Sequence, residues 1–269
     1  MNLAHALLYG VIQGLSEFLP VSSSGHLALL PYLMAFKDPG VAFDLCMHVG
    51  TAGAVLLYFR AEVGGILSGM LPRADPRQRA FFLNFAAATV VSVLCILLLR
   101  PFAGAARSPW LIAFNQAFFG LVLLWADRVQ RRRDPRPDGF FHEGPRWRDA
   151  AIIGAAQALA IFPGVSRSGI TLSAGFFLGL GRVSASAFSF LLSLPIIAAG
   201  VLVEIPALSR EVHSGGLRGD VLLVGVVSAF VVGLATIHIF LRLIRGIGLG
   251  WFSAYRIGLA LVLVYFLTR

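Results

Sequence analysis

Two short polar segments interrupt otherwise apolar sequence, and their residue types are those that bind and cleave phosphate. The first runs from Gln13 to His26 and reads QGLSEFLPVSSSGH, and the second runs from Pro163 to Thr171 and reads PGVSRSGIT. Arginine can bind phosphate oxygens through two parallel hydrogen bonds, and hydroxyl and main-chain N–H groups add further donors. Because electrostatic stabilisation dominates phosphoryl transfer, this composition favours phosphoryl chemistry.

Four residues of these segments are the catalytic candidates: Glu17, Ser23, His26 and Arg167. Glu17 could hold a divalent cation or position a water molecule, and His26 could act as a nucleophile or as a general acid. Gln13 precedes Glu17 by four residues and so shares its helix face, which makes these two the predicted cation contacts. Residue spacing alone does not distribute the roles.

The elements that position these residues are membrane helices. The chain has 269 residues, 58% of them hydrophobic and 13% charged, with a mean hydropathy of +0.82, values that exclude a water-soluble domain of this size. Six apolar stretches have the length of a bilayer crossing. They cover about 41–59, 80–100, 110–128, 185–207, 219–241 and 250–268.

Two further apolar regions, 2–36 and 149–181, are each broken at the centre by Pro, Gly and clustered Ser, and these breaks are the polar segments. Main-chain groups freed at such a break need partners that lipid does not supply, so we expect two re-entrant hairpins of half-helices buried in protein. Each serine cluster would open a half-helix whose free N–H groups and positive dipole end form an anion site.

The two broken regions are similar to each other in sequence. With residue n placed against residue n+144, the stretch from Gly10 to Gly25 is identical to Gly154 to Gly169 at eight of sixteen positions without a gap. We therefore predict an all-α polytopic fold in which a hairpin plus three spans occurs twice. An odd number of crossings separates the hairpins, so the repeats, about 1–130 and 149–269, are predicted to be inverted within one integral membrane domain.

Positive charge is distributed unequally between the two faces. The loops at 60–79, 128–148 and 242–249 hold four, seven and two Lys or Arg residues, whereas the opposite face holds six. The positive-inside rule then makes the basic linker, about 129–148, cytoplasmic and places the first hairpin mouth outside. The net charge of +9 favours contact with anionic lipid over nucleic acid, because the basic run lacks interleaved aromatic residues.

Less functional interpretations of the same residues stay open. Glu17 and Arg167 could form a purely structural ion pair, and serine clusters can be helix-packing surfaces. His26 could be a satisfied core histidine. Asp44 and His48, four residues apart, are better explained as an interfacial pair or helix-end stabiliser, with the mouth of the site as the alternative.

The two segments resemble the paired signatures of the BacA/UppP family of undecaprenyl-diphosphate phosphatases. One signature is (Glu/Gln)-x-x-x-Glu followed by Pro-x-Ser-Ser-Ser-Gly-His, which matches Gln13 to His26, with Gln at the first position as the pattern allows. The other is Pro-Gly-x-Ser-Arg-Ser-Gly-x-Thr, which matches Pro163 to Thr171. Chain length, number of spans and duplication agree with the family along essentially the whole chain.

The resemblance implies a phosphatase of the bacterial inner membrane that hydrolyses undecaprenyl diphosphate at the outer face, recycles the lipid carrier of cell-wall synthesis and confers bacitracin resistance. It implies a divalent cation, Mg²⁺ or Ca²⁺, and essential roles for Glu17, His26 and Arg167. The phosphate and substrate contacts that we predict from the two motifs are Gln13, Ser22, Ser23, Ser24, Gly25, Ser166, Ser168, Gly169 and Thr171.

The predicted partners are a polyprenyl diphosphate lipid and membrane lipids, with a homodimer as one oligomeric state left open. The main alternative function is a transporter or flippase for a phosphorylated polyprenyl lipid, because inverted repeats with broken helices are typical of alternating access. A transporter needs an anion site but no Glu, His and hydroxyl groups beside the arginine, which is why the phosphatase is preferred. A membrane scaffold is the third reading.

Overall fold

The computed structural model describes residues 2–33, 40–103, 108–133, 135–139, 144–213 and 218–269. Within these ranges the regular structure is helical and no β-strand occurs. The helices are α1 Leu3–Ser16, α2 Ser23–Leu33, α3 Val41–Tyr58, α4 Arg60–Ser68, α5 Pro76–Ala103, α6 Pro109–Arg131, α7 Trp147–Ala158, α8 Arg167–Phe177, α9 Arg182–His213, α10 Gly219–Leu243 and α11 Gly250–Leu267.

The structure is that of a multi-pass membrane protein. Among the described residues, five helices are long and apolar enough to cross a bilayer, namely α5, α6, α9, α10 and α11. A sixth candidate is the pair α3 and α4, which meet at an angle of 79°. Five of the six apolar stretches predicted from the sequence are confirmed by these helices, and the sixth, 41–59, corresponds to α3 of the bent pair.

The segment 60–79 differs from its prediction as a loop. It contains α4, and α5 begins within it at Pro76. The prediction was wrong because polar residues such as Arg60 and Glu62 were taken to indicate a loop. A helix bent away from α3 can instead place these residues outside the apolar layer. The bend occurs at Phe59, whose φ of −101° and ψ of 29° depart from helical values.

Large apolar side chains cover much of the outer surface, as expected where lipid replaces water. Leu98 on α5 is 74% exposed and Trp251 on α11 is 78% exposed. In a soluble protein such a surface would drive association, but here it provides the lipid contact of the spans.

The two polar segments are breaks between paired helices, as the sequence predicts. Pro20 lies between α1 and α2, and Pro163 lies between α7 and α8, where a 3₁₀ turn at Leu159–Ile161 follows α7. Proline has no N–H and cannot continue a helix from the preceding turn. We refer to residues 17–24 as the first tip and to residues 162–168 as the second tip.

Close helix packing supports each broken pair. Gly10 of α1 lies against the Gly225 carbonyl of α10, and Gly154 of α7 lies against the Ala88 carbonyl of α5, so neither position has room for a Cβ. Small residues allow helix backbones to approach closely in membranes. Gly10 and Gly154 correspond under the 144-residue offset.

Apart from α4, which has no counterpart in the second half, the order of elements is the same in the two halves. A broken pair is followed by α3, α5 and α6 in one half and by α9, α10 and α11 in the other. The inversion of the repeats, the domain limits and the sidedness of the loops stay predictions. Lys37 and Arg107, which enter the charge comparison, and residues 134 and 140–143 of the basic linker lie outside the described residues.

Candidate active site

The two tips meet inside the protein. Arg167 Nη2 of the second tip lies 2.7 Å from Glu17 Oε1 of the first. A second contact joins them, because Ser168 Oγ donates to the Leu19 carbonyl at 3.1 Å. Residues 150 positions apart in sequence thereby form one polar centre, and it contains both charged candidates.

Glu17 is the hub of this centre. Its side chain is 5% exposed, and its second oxygen, Oε2, accepts hydrogen bonds from Gln13 Nε2 at 3.0 Å and from Ser23 Oγ at 2.7 Å. His48 Nε2 lies 3.4 Å from the same oxygen. Several donors around one carboxylate fix its orientation, which a base or a ligand for a cation requires.

Arg167 is oriented by α9 as well as by Glu17. Its Nη1 donates to the Ser189 carbonyl at 2.9 Å, and the Ser189 hydroxyl is 2.5 Å from Thr171 Oγ1. The Arg167 side chain remains 15% exposed. Since a guanidinium has five N–H donors in a fixed plane, the two bonds to protein leave others for an anion.

Each tip presents unused main-chain donors at the start of its following helix. Ser22 and Ser166 precede α2 and α8 with φ values of 75° and 71°, and their hydroxyls accept from the N–H groups of Gly25 and Gly169. The first N–H groups of a helix have no acceptor within it. In the described part of the chain no acceptor outside the helix binds the main-chain N–H groups of Ser23, Ser24, Arg167 and Ser168.

A cleft of about 290 Å³ opens onto these groups. Its polar side contains the predicted residues Glu17, Ser23, Ser24, Ser166 and Arg167. Its apolar side is formed by α3, α5, the 3₁₀ turn and α9 through Leu45, Ile96, Ala160, Ile161, Ile196, Ile197 and Gly200. The cleft therefore combines an anion-binding end with a surface suited to a hydrocarbon chain.

Several predicted substrate contacts lie behind the cleft surface. Ser22, Ser168 and Thr171 are each 1% exposed. The hydroxyls of Ser168 and Thr171 donate hydrogen bonds to main-chain carbonyls of the protein. Gly25 and Gly169 are also buried. Their roles as substrate contacts stay predictions, and in the structure these residues shape the tips.

His26 is not brought to Glu17. Its Nδ1 bonds to the Ser22 carbonyl at 2.7 Å, and its Nε2 bonds to the Tyr255 hydroxyl at 2.6 Å, with the two rings stacked. A carbonyl only accepts, so Nδ1 is the donor and, in the neutral ring, Nε2 accepts from Tyr255. In this arrangement His26 supports the start of α2, and its catalytic role stays a prediction.

The sequence analysis missed Arg256, which holds both tips. This fully buried residue of α11 donates to the Pro20 carbonyl of the first tip and to the Gly164 and Val165 carbonyls of the second, at 3.5, 2.7 and 2.9 Å. Gly169 permits this approach, since a Cβ there would lie 2.9 Å from Arg256 Nη1. An arginine within an apolar span was the available signal.

Helix α6 reinforces the same arrangement through two adjacent amides. Gln116 Nε2 donates to the Val21 carbonyl at 3.2 Å, and Asn115 Nδ2 donates to the Pro163 carbonyl at 2.8 Å. Each amide thus binds a different tip. A buried amide pair in a predicted span was the signal for this contribution, but the sequence did not indicate which carbonyls it would meet.

His48 was interpreted mainly as part of an interfacial pair, and the structure instead places it on the cleft. It lines the cleft beside Glu17, while its Nδ1 bonds to the Asp44 carbonyl at 2.8 Å. The alternative considered from the sequence, a position at the mouth of the site, is the better description.

The site fits a divalent cation that takes most of its ligands from a substrate. Among the described residues no three His, Cys, Asp or Glu side chains are grouped to share a metal, and Glu17 is the one carboxylate lining the cleft. Gln13 Oε1 is buried without a hydrogen-bond partner in the described part of the chain, so it would be a further oxygen ligand, although Gln13 does not itself line the cleft. Mg²⁺ is commonly held by one or two carboxylates together with substrate phosphates.

Comparison with known proteins identifies the family of this chain. Residues 6–262 match the family described as bacitracin resistance protein BacA. The chain belongs to the BacA family. Relatives of this BacA-family protein include undecaprenyl-diphosphatase 2 of Stutzerimonas stutzeri, 40% identical over 98% of both chains, and the undecaprenyl-diphosphatase of Moorella thermoacetica, 39% identical over 100% of both. A third, the undecaprenyl-diphosphatase of Mycobacterium sp. strain KMS, is 38% identical over 100% of this chain and 98% of its own.

Proposed function

We propose that this BacA-family protein hydrolyses undecaprenyl diphosphate to undecaprenyl phosphate and inorganic phosphate, and so recycles the lipid carrier of cell-wall polymers. It is a phosphoric anhydride hydrolase embedded in the membrane. Relatives that are undecaprenyl-diphosphatases align over nearly the whole chain, which supports this assignment.

One structural observation carries the proposal: Glu17 and Arg167 are joined at 2.7 Å beside the Ser23 hydroxyl, in a cleft with an apolar side. Arg167 and the free N–H groups of the two tips bind the diphosphate. The side of the cleft that contains Ile96 and Ile196 receives the first isoprene units, so the rest of the chain can stay in lipid.

The geometry supports Ser23 as the nucleophile and Glu17 as its base. Ser23 Oγ transfers its proton to Glu17 and bonds to the terminal phosphorus as the bridging P–O bond breaks. Undecaprenyl phosphate departs with the proton from Glu17, which is then a carboxylate again. Water then attacks the phosphoserine, Glu17 takes a proton from that water, and inorganic phosphate leaves as Ser23 regains its proton. Arg167 stabilises the charge on the equatorial oxygens in both steps.

Two oxygen atoms are assigned to the cation, Glu17 Oε2 and Gln13 Oε1. When bound, Mg²⁺ or Ca²⁺ would neutralise charge on the diphosphate. Ser23 and Gln13 donate hydrogen bonds to the same carboxylate oxygen, and these bonds orient Glu17 whether or not the cation is present.

We assign the protein to the bacterial inner membrane with the cleft facing the outer side. The excess of arginine at 60–79, 128–148 and 242–249 supports this orientation through the positive-inside rule. The orientation is tested by replacing the exposed residues Arg133 and Arg218 by cysteine and labelling intact cells with a membrane-impermeant thiol reagent. Labelling at position 218 alone is expected, and labelling at position 133 alone would reverse the orientation.

Phosphate release from undecaprenyl diphosphate by the purified protein in detergent, with and without EDTA, tests the activity. Ser23→Ala and Ser24→Ala form a matched pair, because both serines line the cleft but only Ser23 contacts Glu17. Ser23→Ala should abolish release, and Ser24→Ala should retain a measurable fraction of it. Equal losses would contradict the assigned roles.

Rapid quenching with substrate labelled in its terminal phosphate tests the covalent step. An acid-stable phosphoserine at Ser23 is expected, whereas turnover without labelled protein would mean that Glu17 activates water directly. A folded wild type that binds the lipid but releases no phosphate under varied cations would favour a transporter instead.

A further inference from the structure

A second cleft, rich in arginine, lies at the other end of the spans. It has a volume of about 420 Å³, and five arginines line it: Arg131, Arg133, Arg136, Arg182 and Arg245. They come from the end of α6, the segment that follows it, the start of α9 and the segment after α10. We call this the arginine cleft, and it shares no lining residue with the catalytic cleft.

The two clefts are separated along α9. Arg182 lines the arginine cleft, and Ser193, eleven residues later, lines the catalytic one. At 1.5 Å per residue this is about 16 Å along the helix axis. A ligand in the arginine cleft would therefore not touch Glu17 or Arg167.

Positive charge in the arginine cleft exceeds the carboxylates that meet it. Arg131 and Arg182 share Asp127, and Arg136 pairs with Asp149. The third carboxylate, Asp138, lines the cleft but accepts from the Val183 and Ser184 N–H groups at the start of α9. Among the residues that the structure describes, which do not include Asp134, five arginines meet three aspartates, a surplus of two positive charges.

Unused donors accompany this surplus. Arg182 Nη1 is buried and has no hydrogen-bond partner in the described part of the chain. Arg245 is exposed and has no hydrogen bond or ion pair to any residue that the structure describes. A buried guanidinium nitrogen without an acceptor is costly, so an anion in the cleft would supply what the protein does not.

The level of the cleft in the membrane indicates which class of anion it would bind. Trp125 precedes Arg131 by six residues on α6 and is 64% exposed, and Trp251 at the start of α11 is 78% exposed. Exposed tryptophans mark the headgroup layer of a membrane. Arg131 also borders an adjoining hollow lined by Leu124 and Trp251, which offers an apolar surface next to the charged one.

We propose that the arginine cleft binds the phosphate monoester headgroup of a membrane lipid. A phosphate monoester carries a charge of about −1.5 to −2, which matches the surplus of two, and guanidinium forks suit its oxygens. The adjoining hollow receives the first carbons of the lipid chain. This site is additional to the phosphatase centre and does not depend on the proposed hydrolysis.

Calorimetric titration in nonionic detergent tests the site. The salt concentration is about 0.1 M, because at this ionic strength the attraction between exposed charges is largely screened beyond about 10 Å. The probes are dioctanoyl phosphatidate, dioctanoyl phosphatidylcholine and inorganic phosphate. Arg245→Gln is the test variant, and Arg242→Gln is its control, since Arg242 is also exposed at the end of α10 but does not line the cleft.

Saturable binding of one phosphatidate, weakened about tenfold or more by Arg245→Gln and unchanged by Arg242→Gln, is expected. Inorganic phosphate competing only at much higher concentration would support the lipid as the source, and phosphate binding as tightly as phosphatidate would support free phosphate in the same site. Equal binding of phosphatidylcholine, or equal losses in both variants, would overturn the proposal. Arg133→Gln is a second test variant, and unchanged phosphate release in each variant confirms that it is folded.

Discussion

Replacing Glu17 by Gln should slow turnover strongly while strengthening anion binding. The substitution keeps the size of the side chain but removes the negative charge that Arg167 now faces at 2.7 Å. Arg167 would then offer its full charge to a phosphate. The structural-pair interpretation of Glu17 and Arg167 predicts a different result, which is loss of stability without a gain in anion affinity.

The expected size of the gain follows from Coulomb attraction. Glu17 and a phosphate that contacts the same guanidinium lie roughly 5 Å apart, and two unit charges at that distance interact by about 3 kcal/mol at an effective dielectric constant of 20. Removing this repulsion should tighten binding by about a hundredfold. Loss of the base should slow phosphate release by about 10² to 10⁴-fold.

Two assays separate the effects. Binding of methylenediphosphonate, whose P–C–P bridge resists hydrolysis, is measured by calorimetry, and phosphate release is measured with undecaprenyl diphosphate. Glu62→Gln on α4 is the matched control, because Glu62 does not line the catalytic cleft and should change neither quantity. A folded Glu17→Gln variant that binds the diphosphonate no more tightly than the wild type, or that retains its turnover, would refute the reasoning.

Three further predictions concern the residues around the tips. Arg256→Lys cannot reproduce the short bonds to the two second-tip carbonyls, so the free energy of unfolding should fall by about 2 to 6 kcal/mol and the thermal unfolding midpoint should drop; an unchanged midpoint would contradict the clamp. His48→Ala should reduce the rate of phosphate release by about two- to tenfold, because one of the groups around Glu17 is lost; a stable variant with the wild-type rate would show that the contact is incidental. Tyr255→Phe should change this rate by less than about tenfold, since His26 keeps its bond to the main chain; complete loss in folded protein would instead make the hydroxyl part of the chemistry.

The sequence allowed the broken helices and the charged pair to be predicted because their signals are local. Pro20 and Pro163 interrupt apolar stretches, and the 144-residue offset places Arg167 in the second tip where Ser23 stands in the first. An unpaired charge inside a membrane is energetically costly, so we expected Glu17 and Arg167 to face each other. The contact at 2.7 Å agrees with that expectation.

The remaining site residues depend on packing between distant helices, which residue spacing does not encode. Arg256 reaches Gly164 across 92 positions, and its target is a carbonyl, which every residue possesses. Likewise, the position of His48 relative to Glu17 depends on how α3 packs beside the first tip. Local sequence also placed His26 next to the serines, but the rotation of α2 turns its ring toward Tyr255.

The left-handed serines at the two tips have a consequence for the energetics of substrate recognition. Ser22 and Ser166 hold φ values near +70°, a conformation that costs roughly 1 to 2 kcal/mol for a residue with a Cβ. This strain is incurred when the chain folds, and the hydroxyl caps and the Arg256 clamp then maintain it. The N–H groups are therefore preorganised before an anion arrives. We therefore expect the diphosphate to bind without rearrangement of the tip backbone.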